Sequence, residues 1–145
     1  MLAVASGGGH WIQLLRVLDA FEGSELVFVT VHRDYQQDVP GHRVNVVNDA
    51  NRWERLGLIR LAVRMLGIVV RERPDVVFST GAAPGFFALL FGRLLGARTI
   101  WLDSLANVER LSLSGRIVRP FAQLWLTQWP ELARPEGPEC AGSVF

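Results

Sequence analysis

Lysine is absent from this sequence, and cysteine and charged residues are scarce. All 15 basic residues are arginine, and with 14 acidic residues they leave a formal net charge of +1. That excess is too small for a general nucleic-acid-binding protein, so we expect no nucleic-acid partner. The only cysteine, Cys140, excludes a disulfide framework and any metal site built from several cysteines. Because 50% of the 145 residues are hydrophobic and 20% are charged, the sequence is not that of a disordered chain.

Long apolar segments are also missing. Arginines at positions 64, 93, 116 and 119 interrupt the most hydrophobic stretches, and none of these reaches the roughly 18 apolar residues that a membrane-spanning helix needs. No basic segment precedes the apolar residues 2–5, so we expect no signal peptide and a cytoplasmic protein. The mean hydropathy of +0.23 is nevertheless high, which favours a partner surface or a membrane contact.

Short β-branched runs alternate with longer helical segments along the chain. The predicted strands are residues 2–5, 25–31, 43–47, 75–79, 98–102 and 124–128. The predicted helices are residues 11–21, 52–73, about 84–95 and 112–121. Residues 35–41 are predicted to be a loop. This alternation predicts an α/β fold with a mostly parallel sheet and helices on both faces, built by one domain of residues 1–145.

The first candidate site is the loop after the first predicted strand, which consists of Ser6, Gly7, Gly8, Gly9 and His10. Glycines at such a place let the backbone approach a ligand, and the helix N-terminus offers free N–H groups to a phosphate. The spacing is not that of G-x-G-x-x-G, so a dinucleotide site is only weakly supported. A tight turn required by helix–sheet packing is the alternative. His10 is a candidate general base, phosphate contact or capping residue.

Two further loops should lie beside the first one, because the loops after parallel strands converge on one edge of the sheet. The loop around Gly81 repeats the pattern of small residues before a helix, and it is either a ligand loop or a simple turn. The other loop contains Asp103, Asn107 and Glu109. Asp103 lies just past a strand end, where an inverting transferase could place its base. Glu109 is an alternative base or a solvated side chain.

The long predicted helix has one arginine-rich side. At 100° per residue, one stripe contains Trp53, Arg60, Arg64, Gly67 and Arg71. The opposite side is predicted to be core and contains Leu58, Ile59, Leu61, Ala62, Met65, Leu66 and Val69. The stripe is edged by Leu56, Val63 and Ile68. Arginines beside a tryptophan predict contact with an anionic membrane surface, and a plain solvated face is the alternative.

Three stretches together resemble a known family: ASGGGHWIQLLRVL, PDVVFSTGAAPGFFALLFGRLLGARTIWLDSLANVERLSLSGRIVRPFA and LTQWPEL. They are similar to the acceptor-binding subunit of two-chain UDP-sugar glycosyltransferases. The eukaryotic member anchors the second GlcNAc transferase of N-glycan assembly, whereas bacterial members act in exopolysaccharide and capsule synthesis beside a small donor-binding chain. More distantly, the chain resembles the N-terminal half of the lipid-intermediate GlcNAc transferase of peptidoglycan synthesis.

The resemblance implies a Rossmann-like domain equivalent to the N-terminal half of a GT-B glycosyltransferase. This half would hold a lipid-linked, polyprenyl diphosphate sugar acceptor, and the partner half would hold the nucleotide sugar. Residues 6–10 match the glycine loop near the diphosphate, and residues 81–85 match the second glycine loop. Asp103 matches an acidic residue at the cleft, and residues 128–132 match a motif near the end of the domain.

The resemblance also implies an inverting transfer that needs no metal and no cofactor, on the cytoplasmic face of the cell membrane. We expect Asp103 as the first choice of base, before His10 and Glu109, and GlcNAc or glucuronic acid as the transferred sugar. We expect no N-terminal membrane anchor of the eukaryotic pattern, an expectation that favours the bacterial branch and a peripheral contact through the arginine-rich helix. The alternatives are a non-catalytic scaffold that recruits the enzyme to the membrane, and a free-standing nucleotide-binding domain.

Overall fold

Strands and helices alternate through residues 1–144, the part of the chain that the computed structural model describes. The strands are β1 (Leu2–Val4), β2 (Val27–Thr30), β3 (Arg43–Val46), β4 (Val76–Ser79), β5 (Arg98–Leu102), β6 (Leu124–Thr127) and β7 (Glu139–Cys140). The helices are α1 (Gly9–Arg16), α2 (Arg55–Glu72), α3 (Ala82–Leu94) and α4 (Leu113–Ile117). Short 3₁₀ segments occupy Leu18–Phe21, Arg33–Asp38, Arg119–Phe121 and Pro130–Leu132.

The strands form one sheet in the order β3-β2-β1-β4-β5-β6-β7, and each neighbouring pair is parallel. Val4 of β1 pairs with Val29 of β2 on one side and with Ser79 of β4 on the other. The chain therefore builds the sheet outward from β1 to β3, then returns and continues from β4 on the other side. The loops after β1 and β4 flank this reversal of strand order, which is where open parallel sheets bind ligands. The predicted fold class is confirmed.

Helices cover both faces of the sheet because successive side chains of each strand point to opposite faces. Leu2 and Val4 of β1 lie in a core layer with the buried residues of α2 and α3. Ala3 lies in the other layer, with Trp11 and Leu14 of α1. The sheet thus has a packed layer on each face, and the loops that follow the strands emerge at its carboxyl edge.

Several predicted boundaries differ from the structure. The helix predicted for residues 11–21 ends at Arg16 and is followed by the 3₁₀ segment Leu18–Phe21. The helix predicted for residues 112–121 ends at Ile117, shortly before Pro120, whose backbone nitrogen cannot donate a helical hydrogen bond. The predicted loop 35–41 begins within the 3₁₀ segment Arg33–Asp38. Strand β7 was not predicted, because two residues are too short to show a period.

The predicted stripe of Trp53, Arg60, Arg64, Gly67 and Arg71 is exposed, but three other positions of α2 differ from the prediction. Ile59 and Leu66, predicted to be core, are 61% and 41% exposed, whereas Ile68, predicted at the edge of the stripe, is 3% exposed. The reason is that α2 packs against α3 as well as the sheet, which rotates the buried face away from those two side chains. The outer face of α2 carries five exposed apolar side chains at spacings of three and four residues: Leu56, Ile59, Val63, Leu66 and Val70.

The helix also begins later than predicted, at Arg55, so Trp53 lies in the turn before it and is 78% exposed. Of the helices within residues 1–144, none combines the length and apolar content needed to cross a bilayer.

Candidate functional site

The loop of residues 6–10 connects β1 to α1 at the carboxyl edge. Gly8 has a φ of 58°, a left-handed conformation that favours glycine, and its N–H donates to the Tyr35 hydroxyl at 2.9 Å. The Tyr35 ring stacks on Trp11 with a centroid distance of 4.8 Å. A side chain at Gly7 would collide with His32, whose ring lies 2.7 Å from the ideal Cβ position. The three glycines are therefore not equivalent. Gly7 is hemmed in by His32, whereas Gly8 and Gly9 are both exposed with open space at their Cβ positions. The N–H of Gly8 is engaged by Tyr35, and Gly9 is the first residue of α1.

His10 joins the two glycine loops. Its Nδ1 lies 2.8 Å from the carbonyl oxygen of Thr80, and the Thr80 hydroxyl donates to the backbone carbonyl of His10 at 2.7 Å. Gly81 follows with a φ of 135°, and a Cβ there would lie 2.6 Å from Cε1 of His10. The structure thus brings the first and second predicted loops together, with the half-buried imidazole of His10 between them.

Asp103 lies at the end of β5 but is 1% exposed. Its carboxylate accepts four hydrogen bonds, which come from Trp101 Nε1 at 3.2 Å, Asn107 Nδ2 at 3.3 Å, and the Ser112 backbone N–H at 2.9 Å and hydroxyl at 2.6 Å. These bonds fold the loop between β5 and α4 back onto the strand end. The side chains of Asp103 and Asn107 are therefore engaged with each other, whereas Glu109 is exposed on the same loop.

Two buried glutamines complete the site: Gln13, which was not predicted, and Gln128, which was predicted only as part of the motif of residues 128–132. The backbone carbonyl of Asp103 accepts from Gln13 Nε2 at 3.2 Å and from Gln128 Nε2 at 3.0 Å. Gln13 Oε1 in turn accepts from the Leu105 N–H at 3.1 Å, and the Trp129 indole donates to the Leu105 carbonyl at 2.9 Å. The signal for Gln13 was its position between Trp11 and Leu14, since a polar residue on the buried face of a helix must find a partner.

A cavity of about 410 Å³ lies beside this network, between α1 and the loop after β5. It is lined by Gly9, Ile12, Gln13, Arg16, Ser104, Leu105, Ala106, Trp129 and Val144. A larger cavity, about 730 Å³, lies at the opposite edge near residues 73–76 and 95–98, and its lining contains none of the predicted site residues. Within residues 1–144, no group of three or more His, Cys, Asp or Glu side chains is placed to hold a metal ion.

The four predicted membrane residues lie on or next to α2. Arg60 and Arg64 are exposed, as is Trp53. Arg71 is exposed but engaged, since it pairs with Glu72 at 3.1 Å and donates to the Asn45 side chain. Because α2 follows β3, its N-terminal end with Trp53 lies at the same carboxyl edge as the glycine loops.

The sequence and the fold were compared with known protein families, curated proteins and solved structures. The family model described as "Oligosaccharide biosynthesis protein Alg14 like" matches residues 47–141, well over half of the chain. The chain belongs to the Alg14-like family. The resemblance expected from the sequence is confirmed at this level, and the Alg14-like assignment covers strands β4 to β7 with the helices between them.

Curated relatives in the Alg14-like family are named UDP-N-acetylglucosamine transferase subunits. The protein of Yarrowia lipolytica is 42% identical over 72 residues, which cover 46% of this chain and 33% of the relative. The protein of Eremothecium gossypii is 28% identical over 159 residues, covering 88% of this chain and 71% of the relative. The first of these alignments thus spans only about a third of the relative's length.

Among solved structures, MurG of Acinetobacter baumannii is similar with a TM-score of 0.80 and 13% sequence identity. The likeness covers 99% of this chain and 45% of MurG. At that identity it shows the fold alone: this Alg14-like chain has the Rossmann-like architecture of the N-terminal half of a GT-B enzyme.

Proposed function

We propose that this protein is the acceptor-binding subunit of a two-chain, UDP-sugar-dependent glycosyltransferase. The observation that supports this most is the juncture of the two glycine loops through His10, at the strand reversal of an Alg14-like chain. A GT-B enzyme has two such halves and forms its cleft between them, so a second, donor-binding chain supplies the other wall. The names of the relatives favour UDP-GlcNAc as the donor, with UDP-glucuronic acid as the alternative.

The proposed acceptor is a sugar linked to a polyprenyl diphosphate. Of the N–H groups in the first loop, that of Gly8 is engaged by Tyr35, so the diphosphate would meet the backbone of Gly9 and His10 at the start of α1. The missing side chain at Gly81 leaves the second loop close to the same point. Asn107 is a weaker candidate for phosphate binding, because its amide donates to Asp103.

The general base that we propose is His10 rather than Asp103. A base must reach the acceptor hydroxyl, take its proton and leave the oxygen free to attack the anomeric carbon as UDP departs with inversion. The Asp103 carboxylate is buried and its oxygens already accept four hydrogen bonds, whereas His10 is half-buried at the loop juncture. Glu109 is exposed on the loop after β5 and has no comparable position between the loops.

The outer face of α2 would hold the enzyme peripherally on the cytoplasmic side of the cell membrane. Five exposed apolar side chains lie beside Arg60 and Arg64, which suits insertion among anionic headgroups. The N-terminal end of this helix lies at the carboxyl edge, so a membrane-bound lipid would present its diphosphate near the glycine loops. The relatives named above are eukaryotic, and the bacterial polysaccharide pathway that the sequence resemblance implies is proposed as the alternative.

Partner dependence is the central test. The complex with a donor-binding chain should bind UDP-GlcNAc by calorimetry and transfer radiolabelled sugar to a polyprenyl diphosphate acceptor, whereas the isolated chain should do neither. The pairing should bury at least ~1,000 Å² in total. Robust transfer by this chain alone would overturn the proposal.

A non-catalytic scaffold is the competing function. The change His10→Ala in the complex separates the two, because loss of a general base should lower kcat by about 100-fold or more while the complex still forms. The matched control is His42→Ala, since His42 is exposed at the start of β3, at the opposite edge of the sheet. Unchanged turnover in both histidine variants would support the scaffold. If turnover is lost only in a folded Asp103→Asn variant, the general base is Asp103 instead of His10.

Membrane contact is tested by flotation with liposomes that contain or lack anionic lipid. Arg60→Glu/Arg64→Glu should reduce binding to anionic vesicles, since each arginine near the surface contributes on the order of 1 kcal/mol. Arg93→Glu/Arg98→Glu makes the same change in net charge near the opposite edge and should bind as the unaltered protein does. Equal loss in both pairs would mean that only the overall charge matters.

A further inference from the structure

We propose that Thr80 is a positioning residue that fixes the orientation and tautomer of His10, so that Nε2 is the atom that takes the acceptor proton. This inference rests on the proposed function and adds to it the residue that prepares the base. Thr80 itself is fully buried and would not touch the substrate.

The tautomer follows from the hydrogen bond between His10 and Thr80. A backbone carbonyl can only accept, so the Nδ1 of His10, 2.8 Å from the Thr80 oxygen, must carry a hydrogen. In a neutral imidazole the other nitrogen, Nε2, is then an acceptor with a free lone pair. A general base needs this state, because the nitrogen that faces the substrate must be unprotonated before the reaction.

The position of the Thr80 carbonyl is itself fixed from two directions. The backbone N–H of Thr80 donates to the Val4 carbonyl at 3.3 Å, which ties the strand end to β1. The Thr80 hydroxyl donates to the His10 carbonyl at 2.7 Å, which ties it to the first turn of α1. The side chain and the backbone of one threonine thus contact the backbone and the ring of one histidine, and the ring cannot turn without losing a bond.

Gly81 provides the space that this arrangement needs. A Cβ at Gly81 would lie 2.6 Å from Cε1 and 2.7 Å from Nδ1 of His10, inside the contact limit for both atoms. Any larger residue would push the ring off the Thr80 carbonyl. The second glycine loop therefore helps to hold the general base, His10, in position, in addition to any contact that it makes with the acceptor.

The test uses three variants of the full chain, each also in its complex with the donor-binding chain. Thr80→Val removes the hydroxyl and keeps the shape, Thr80→Ser keeps the hydroxyl, and Thr99→Val is the matched control. Thr99 is equally buried and donates its hydroxyl to a carbonyl, that of Phe121, away from the glycine loops.

The first measurement is the tautomer of His10 by long-range ¹H–¹⁵N correlation at alkaline pH, with the signal assigned from His10→Gln. The unaltered protein, Thr80→Ser and Thr99→Val should show hydrogen on Nδ1, and Thr80→Val should show a mixture of tautomers. The second measurement is transfer by the complex. Thr80→Val should lower kcat at least ~10-fold at unchanged KM, and Thr80→Ser should restore most of it.

Hydrogen on Nε2 in the unaltered chain would overturn the proposal, as would a Thr80→Val variant that matches the unaltered protein in tautomer and kcat. An equal loss of kcat in Thr99→Val would reduce Thr80 to a general contributor to stability. If Thr80→Val does not fold, Gly81→Ala serves instead, because its Cβ should displace the ring and give the same tautomer mixture. Absence of transfer in every complex would reject the proposed function, while the tautomer measurement would still decide the role of Thr80.

Discussion

The carboxyl edge of the sheet buries polar side chains, whereas the outer face of α2 exposes apolar ones. At the carboxyl edge, Asp103, Gln13 and Gln128 are polar and buried. The Asp103 carboxylate accepts from Ser112, and both glutamine side chains donate to the Asp103 backbone carbonyl. Within residues 1–144, no buried side-chain nitrogen or oxygen lacks a partner. The outer face of α2 instead exposes five apolar side chains to solvent.

The two regions differ in what they cost the folded state in free energy. A buried polar group without a partner costs about 1–3 kcal/mol, so the carboxyl edge must be built as a complete network. An exposed apolar side chain costs the fold little and remains available for another surface. Stability should therefore respond to changes at the edge, and association should respond to changes on the helix.

The largest effect is expected from Asp103→Ala. The change leaves the donors of Trp101, Asn107 and Ser112 without their acceptor in a buried site, and the free energy of unfolding should fall by on the order of 5 kcal/mol. Urea denaturation followed by circular dichroism measures the loss. Glu109→Ala is the control, because this carboxylate on the same loop is exposed and its removal should change stability by less than ~0.5 kcal/mol. Similar values for both would mean that the network around Asp103 does not stabilise the fold.

The two isoleucines of α2 test the position of its buried face. Ile68→Ala should lower the free energy of unfolding by about 3 kcal/mol, because Ile68 lies in the core layer with α3 and the sheet. Ile59→Ala removes the same atoms from an exposed position and should cost less than ~0.5 kcal/mol, while weakening binding to liposomes. Denaturation and flotation on the same two variants give both readouts. A large loss of stability from Ile59→Ala would show that this face is covered within the folded chain.

The smallest effects are expected from a glycine-to-alanine substitution made once in each region. Gly85→Ala should destabilise by about 2 kcal/mol, because the new Cβ would collide with the Ser79 hydroxyl and lie 3.3 Å from the Trp101 ring. Gly67→Ala should stabilise by about 0.5 kcal/mol, because Gly67 lies within α2 with open space at its Cβ position. Thermal unfolding of the two variants should show shifts of opposite sign. Shifts of the same sign would contradict the contrast between the regions.

The strands and the strand-end loops could be predicted because they depend on local patterns. Runs such as residues 98–102 show their strand character directly, and that prediction agrees with the bounds of β5. The glycine loop of residues 6–10 was predicted as a turn between a strand and a helix for the same reason, since its glycines closely follow an apolar run in the sequence. The missed strand β7 has two residues and owes its existence to pairing with β6, which no local pattern contains.

For the site residues, too, part of the prediction came from local sequence and part needed the folded structure. The sequence singled out His10 and Asp103 because both follow predicted strands, but it ranked the carboxylate first. Only the folded structure shows that the Asp103 carboxylate accepts four bonds from its own loop, while His10 lies between two loops. Two of the partners that decide this ranking are distant from the site residue along the chain. Ser112 reaches Asp103 because the loop after β5 folds back, and Thr80 reaches His10 from the end of β4.

The sequence by itself determined the α/β class, the parallel sheet and the strand-end position of the candidate site, because side-chain periodicity and glycine content are local properties of the chain. Tertiary structure decided which face of α2 is buried, since α3 packs against that helix and rotates Ile68 inward and Ile59 outward. It also decided the difference between His10 and Asp103, because hydrogen-bond satisfaction in a buried site depends on groups up to 70 residues apart along the chain.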